Sequence, residues 1–168
     1  RHFGQKLTAD QLLALLKHPL TGTGEARGTH LRLTRDLELS LRRNGPIFPK
    51  GDDLRAWAAT RNDPAAVLWA GHLGPQIDRL EPATTLPLAD MVALHRDIAE
   101  SLACGTAPTG SGALWNKEAG IAALKQIETL QAEAPHGGSF APADYADLFN
   151  ALLAKSEVRE TVQAHPRI

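Results

Sequence analysis

Leucine recurs at intervals of three and four along most of this chain, in blocks that proline and glycine close off, and that rhythm commits it to amphipathic helices packed on one another. The first block is the clearest. Thr8-Ala9-Asp10-Gln11 has capping-box spacing, Leu12, Leu13, Leu15 and Leu16 follow, and Pro19 after His18 should end a helix over about 8–18. Thr21-Gly22-Thr23-Gly24 then reads as a flexible turn, and as a phosphate cradle it is a poor match.

Residues 29–43 are ambiguous by pattern. Leu31, Leu33, Leu37, Leu39 and Leu41 alternate as in a strand, while Leu33, Leu37 and Leu41 also share a helical face. Leu, Arg and Glu favour helix and β-branched residues are scarce, so propensity selects a helix that stops at Asn44-Gly45-Pro46. After a Pro/Gly connector, Asp52 and Asp53 open a short helix through Trp57, and Asn62-Asp63-Pro64 starts a longer one with Pro in its first turn. Trp69, Leu73, Ile77 and Leu80 form its stripe. Gly74-Pro75 should kink or break it, because proline removes one internal hydrogen bond and crowds the preceding turn, so two shorter helices compete with one.

Leu88, Met91, His95, Ile98 and Leu102 mark another helix from Pro87 to Gly105. A Gly/Thr/Ser loop precedes a helix over about 115–134 with Ile121, Leu124, Ile127 and Leu130, ended by Pro135-His136-Gly137-Gly138. The last helix, Pro142 to Lys155, places Tyr145, Leu148, Phe149 and Leu152 on one face and Asp144 near its amino terminus, where negative charge is favoured. The expected fold is all-α, an irregular bundle of six or seven helices in a single domain over 1–168, with no strand–turn–strand signature.

Composition excludes several functions. The net charge of −1 rules out a uniformly basic nucleic-acid binder, yet residues 1–61 carry 11 Lys+Arg against 6 Asp+Glu and residues 62–168 carry 7 against 13. A positive amino-terminal third can meet phosphate while the acidic remainder faces water or a basic partner; a chance imbalance on a solvated surface is the competing explanation. Cys104 is the one cysteine, so the chain can complete neither a disulfide nor a Cys-based zinc or iron–sulfur site, which fits a reducing cytoplasm. No apolar run approaches the ~20 residues of a membrane span, and Arg-His-Phe-Gly lacks the apolar centre of a signal peptide.

Chemical motifs are scarce. A phosphate-binding loop ending in Gly-Lys-Ser/Thr is missing, so ATP hydrolysis by this chain alone is not expected. His2, His18, His30, His72, His95, His136 and His165 show neither i, i+4 pairing nor HExxH, so no metal and no cofactor are expected. His95 sits on an apolar stripe and is read as a boundary histidine bonded to backbone, not a general base; Ser101 and Ser111 lack the flanks of an activated nucleophile. No catalytic residue is assigned.

The functional candidates are basic: Lys17, Arg27, Arg32, Arg35, Arg42 and Arg43, with Arg35 and Arg42 seven apart and Arg32 and Arg35 three apart on a helix surface. Phosphate contact competes here with a solvated face that Asp36 and Glu38 partly neutralise, and no aromatics interleave for base stacking. Trp57, Trp69 and Trp115 read as core anchors.

LTADQLLALLKHPLT (7–21), THLRLTRDLELSLRRNGP (29–46), LWNKEAG (114–120), DYADLF (144–149) and HPRI (165–168), in this order and spacing, resemble the middle of AddB-family proteins. In that family a long polypeptide combines a degenerate helicase-like half with a carboxyl-terminal nuclease and works with AddA to resect broken DNA. The resemblance implies that this chain is an inserted helical subdomain of the 2B type, with residues 1–22 at the junction with a helicase-like core and HPRI at the return to it. It implies DNA and an AddA-like subunit as partners, a cytoplasmic setting and no membrane. The family's nuclease carboxylates and iron–sulfur cysteines lie in segments that this chain lacks, so an ATP-dependent helicase/exonuclease activity would belong to the parent protein. The competing expectation is a structural insert whose acidic part docks on a basic surface without touching DNA.

Overall fold

The computed structural model describes residues 2–107 and 110–154, in which seven α-helices pack around one apolar core. The irregular all-α bundle expected from the leucine rhythm is the observed architecture. The helices are α1 Ala9–Lys17, α2 Arg27–Asn44, α3 Gly51–Ala59, α4 Pro64–Arg79, α5 Leu88–Cys104, α6 Lys117–Glu133 and α7 Pro142–Ala154. HPRI and Lys155 lie outside the described residues.

Local chemistry sets most boundaries. The Thr8 hydroxyl accepts the Gln11 amide at 3.3 Å while the Gln11 side chain accepts the Thr8 amide at 2.9 Å, which is the capping box that the sequence spells. Asp63 Oδ1 accepts the Ala65 amide at 2.9 Å just ahead of Pro64, a residue whose missing N–H costs nothing at the first helical position. Gly105 closes α5 with φ +67°, a backbone conformation that side chains resist.

In α2 the helical reading holds: Leu33 and Leu37 are buried and Leu41 is half-buried, whereas Leu31 and Leu39, the extra members of the alternating pattern, face solvent. In α4 a single helix runs through Pro75. Tertiary packing accounts for it. The Gly51 amide donates to Asp78 Oδ1 at 2.7 Å, and a β-carbon on Gly51 would lie 2.5 Å from the Gly74 carbonyl oxygen, so the two glycines let α3 and α4 close on each other across the proline turn. Trp69, Leu73, Ile77 and Leu80 are buried along that seam, and the Trp57 and Trp69 rings meet edge to face at 5.9 Å.

Three features escaped the sequence pattern. Leu86–Pro87 (β1) and Ser139–Phe140 (β2) form a two-residue antiparallel pair, Leu86 opposite Phe140 and Pro87 opposite Ser139. The segment 21–24 is pinned, not flexible: Gly22 and Thr23 donate their amides at 2.8 Å to the Leu102 and Ala103 carbonyls at the end of α5. In α6 the expected stripe is only partly used, with Ile127 buried and Ile121 63% exposed. Among the described residues no helix is long and apolar enough to cross a membrane.

Candidate nucleic-acid interface

The solvent face of α2 carries the candidate residues, because the turn that buries His30, Leu33, Thr34 and Leu37 sends Leu31, Arg32, Arg35, Leu39, Arg42 and Arg43 outward. Two of these arginines are held by carboxylates. Arg32 donates to Asp63 at 2.9 Å and lies 3.5 Å from Asp36; Arg42 donates to Glu38 at 2.9 Å, and Lys17 of α1 reaches the other Glu38 oxygen at 2.7 Å. These donors keep both acids charged: hydrogen bonds from Lys17 and then Arg42 lower the Glu38 pKa, and hydrogen bonds from Arg32 and then the Ala65 amide lower that of Asp63. Arg35 and Arg43 are exposed and make no ion pair among the described residues.

Arg27 stands apart. It donates to the Thr21 carbonyl at 2.7 Å and fastens the start of α2 to the loop before it. Arg61, which no spacing in the sequence links to α2, joins the face by pairing with Asp36 at 3.4 Å while lying 5.6 Å over the Trp57 ring. Six cations, Lys17, Arg32, Arg35, Arg42, Arg43 and Arg61, thus stand over three carboxylates, Asp36, Glu38 and Asp63, and three positive charges remain uncompensated on this surface.

Beneath this face lies a polar lock. His30 is buried with Nε2 2.7 Å from the Leu16 carbonyl and Nδ1 accepting the Trp69 indole N–H at 3.0 Å, so its Nε2 carries the hydrogen and donates. Burial, above all, lowers its pKa below the usual histidine value. The lock ties α1, α2 and α4 together and gives the arginine face a rigid base.

Among the described residues, the histidines and clefts are occupied with structural bonds. His95 bonds the Tyr145 phenol at 3.0 Å instead of backbone, and it stacks on Phe3 at 4.5 Å with Phe149 at its edge. Burial lowers its pKa to about 4 and raises that of Tyr145, so a neutral imidazole and a protonated phenol share this hydrogen bond. His72 lines an open cleft between α4 and α5, but its Nε2 is 3.1 Å from the Ser101 carbonyl. The cleft's acids are engaged as well, Asp97 with Arg79 at 2.6 Å and Glu100 with Arg96 and Trp115, both at 2.9 Å. No group of three His, Cys, Asp or Glu placed to hold a metal occurs among the described residues. Compared with protein-family models, curated protein sequences and solved structures, the chain matches none.

Proposed function

We propose that this chain is a non-catalytic helical subdomain of an AddB-like subunit in DNA double-strand-break repair, and that the outer face of α2 meets DNA phosphate within that assembly. The observation that carries the DNA contact is the uncompensated charge of α2, where Arg35 and Arg43 stand exposed and unpaired among the described residues beside Arg42. The family assignment rests on the resemblance of five ordered segments. Salt-sensitive binding follows from the chemistry, since each arginine that neutralises a phosphate releases condensed counterions. Fluorescence anisotropy of the purified chain with a duplex bearing a single-stranded tail, titrated across salt, tests this reading. Binding that weakens as salt rises is expected; no binding at low salt would remove DNA from the account.

A second reading has its own observation. Leu31 and Leu39 are 39% and 53% exposed among the arginines, and a face that mixes arginine with leucine suits a protein partner such as an AddA-like subunit. Capture of that subunit from nuclease-treated samples separates the two, because DNA cannot then bridge them.

A further inference from the structure

Along the outer side of α2, Leu31, Arg35, Leu39 and Arg43 recur at every fourth position, a row that alternates leucine with arginine at steps of about 6 Å. All four are exposed, Leu31 by 39% and Leu39 by 53%. The row runs between two clamped carboxylates. Glu38, on the α1 side, is held by Lys17 and Arg42; Asp36, on the side of the turn between α3 and α4, is held by Arg32 and Arg61. Resting on the DNA reading of α2 proposed above, we infer that this row enters the major groove of duplex DNA, with Leu31 and Leu39 against the C5 methyl groups of thymine and the cations on either side against the phosphates of the two groove walls.

Phosphate contact alone accounts for the arginines and leaves the leucines over, because an apolar side chain gains nothing from a phosphate oxygen. The two carboxylates lie on opposite flanks of one helix, and the cations that clamp them are therefore divided, Lys17 and Arg42 on one flank and Arg32 and Arg61 on the other, as the two strands that border a groove are divided. Size selects which groove. A helix with its side chains is about 10–12 Å across, which a major groove ~12 Å wide admits and a minor groove ~6 Å wide does not. The major groove is also where thymine displays its methyl, the apolar contact that the leucines require. On the opposite side of α2, His30, Leu33, Thr34 and Leu37 are buried, so the row points away from the core.

The test is fluorescence anisotropy of the chain with two duplexes of one A·T-containing sequence, one made with thymine and the other with uracil, which lacks only the methyl. The thymine duplex should bind tighter, by about fourfold for each methyl covered. Leu31→Ala/Leu39→Ala, at two exposed positions, should bring the duplexes to equal affinity and leave the salt dependence as it is, because leucine releases no counterions. Equal affinity of the unaltered chain for the two duplexes, both bound, overturns the groove docking and leaves the phosphate contact standing; no binding to either removes the DNA reading with it. A thymine preference that survives in the leucine variant also overturns the docking. So does a variant that keeps both duplex affinities and loses capture of an AddA-like subunit, which gives the row to a protein partner.

Discussion

Helices α4 and α6 are of nearly equal length and both carry apolar residues at helical spacing, but the chain uses them differently. In α4, Ala66, Trp69, Ala70, Leu73, Gly74 and Ile77 are buried; in α6, Ile127 alone is. Periodicity states which face can be buried, and the neighbours decide whether it is. Helix α4 meets α3 at two glycines that permit close approach, whereas α5, α6 and α7 leave an open apolar groove between them, lined in part by Ala99 and Ala123. The arginine face of α2 stands on the tight side, anchored to α4 through His30 and Trp69.

The sharpest way to break this comparison is to truncate one residue on each side. Leu73→Ala, at a position 1% exposed, should cost about 2–5 kcal/mol in urea unfolding. Ile121→Ala on α6 should stay within about 0.5 kcal/mol, as surface changes do. Equal losses would mean that the two halves are packed alike.

Acid probes the looser side. Because burial holds the His95 pKa at about 4 against an unfolded value of 6.5, the unfolded chain binds more protons between those limits, and stability falls as pH drops from 6.5 towards 4. The shift corresponds to about 3 kcal/mol. His30, lowered in the same direction, adds to the slope. Chemical unfolding across this window should show the decline, and His95→Phe, which keeps an aromatic ring and removes the titration, should make it shallower. An unchanged slope in that variant would place the pH dependence elsewhere.

A smaller effect sharpens the tight side. Trp69→Phe leaves His30 Nδ1 without its donor and should cost about 1–3 kcal/mol beyond the loss of ring area. Trp57→Phe should cost less, because the buried Trp57 indole N–H has no hydrogen-bond partner among the described residues. Matched unfolding curves for the two variants make the comparison.

The features legible in the sequence are those that neighbours along the chain decide. Thr8 and Gln11, Asp63 and Pro64, and Gly105 announce helix ends because a cap needs only a few consecutive residues. The partners of the site residues are a different matter. Arg32 finds Asp63 31 positions away, His30 finds Trp69 39 away, and β1 pairs with β2 across the length of two helices. Such pairings follow from how the helices stack, which hydrophobic spacing does not specify. Asp36 and Glu38 are visible in the sequence as neutralising charges within one helix, and Lys17 as a candidate cation; the pairing of Lys17 with Glu38 and the contributions of Arg61 and Asp63 are not. Pro75 shows the same limit, since its neighbours foretell a break and the contact of Gly51 with Gly74 keeps the helix whole.

Whether the exposed, uncompensated arginines on α2 meet DNA phosphate, as proposed, is tested most directly by the salt dependence of duplex binding. Log–log plots of affinity against salt should be shallower for Arg35→Ala/Arg43→Ala by about 2, the loss of two phosphate contacts at ~0.9 each. Glu38→Gln should strengthen binding by freeing Lys17 and Arg42. An unchanged slope in the double variant would contradict the account and remove α2 from the DNA interface.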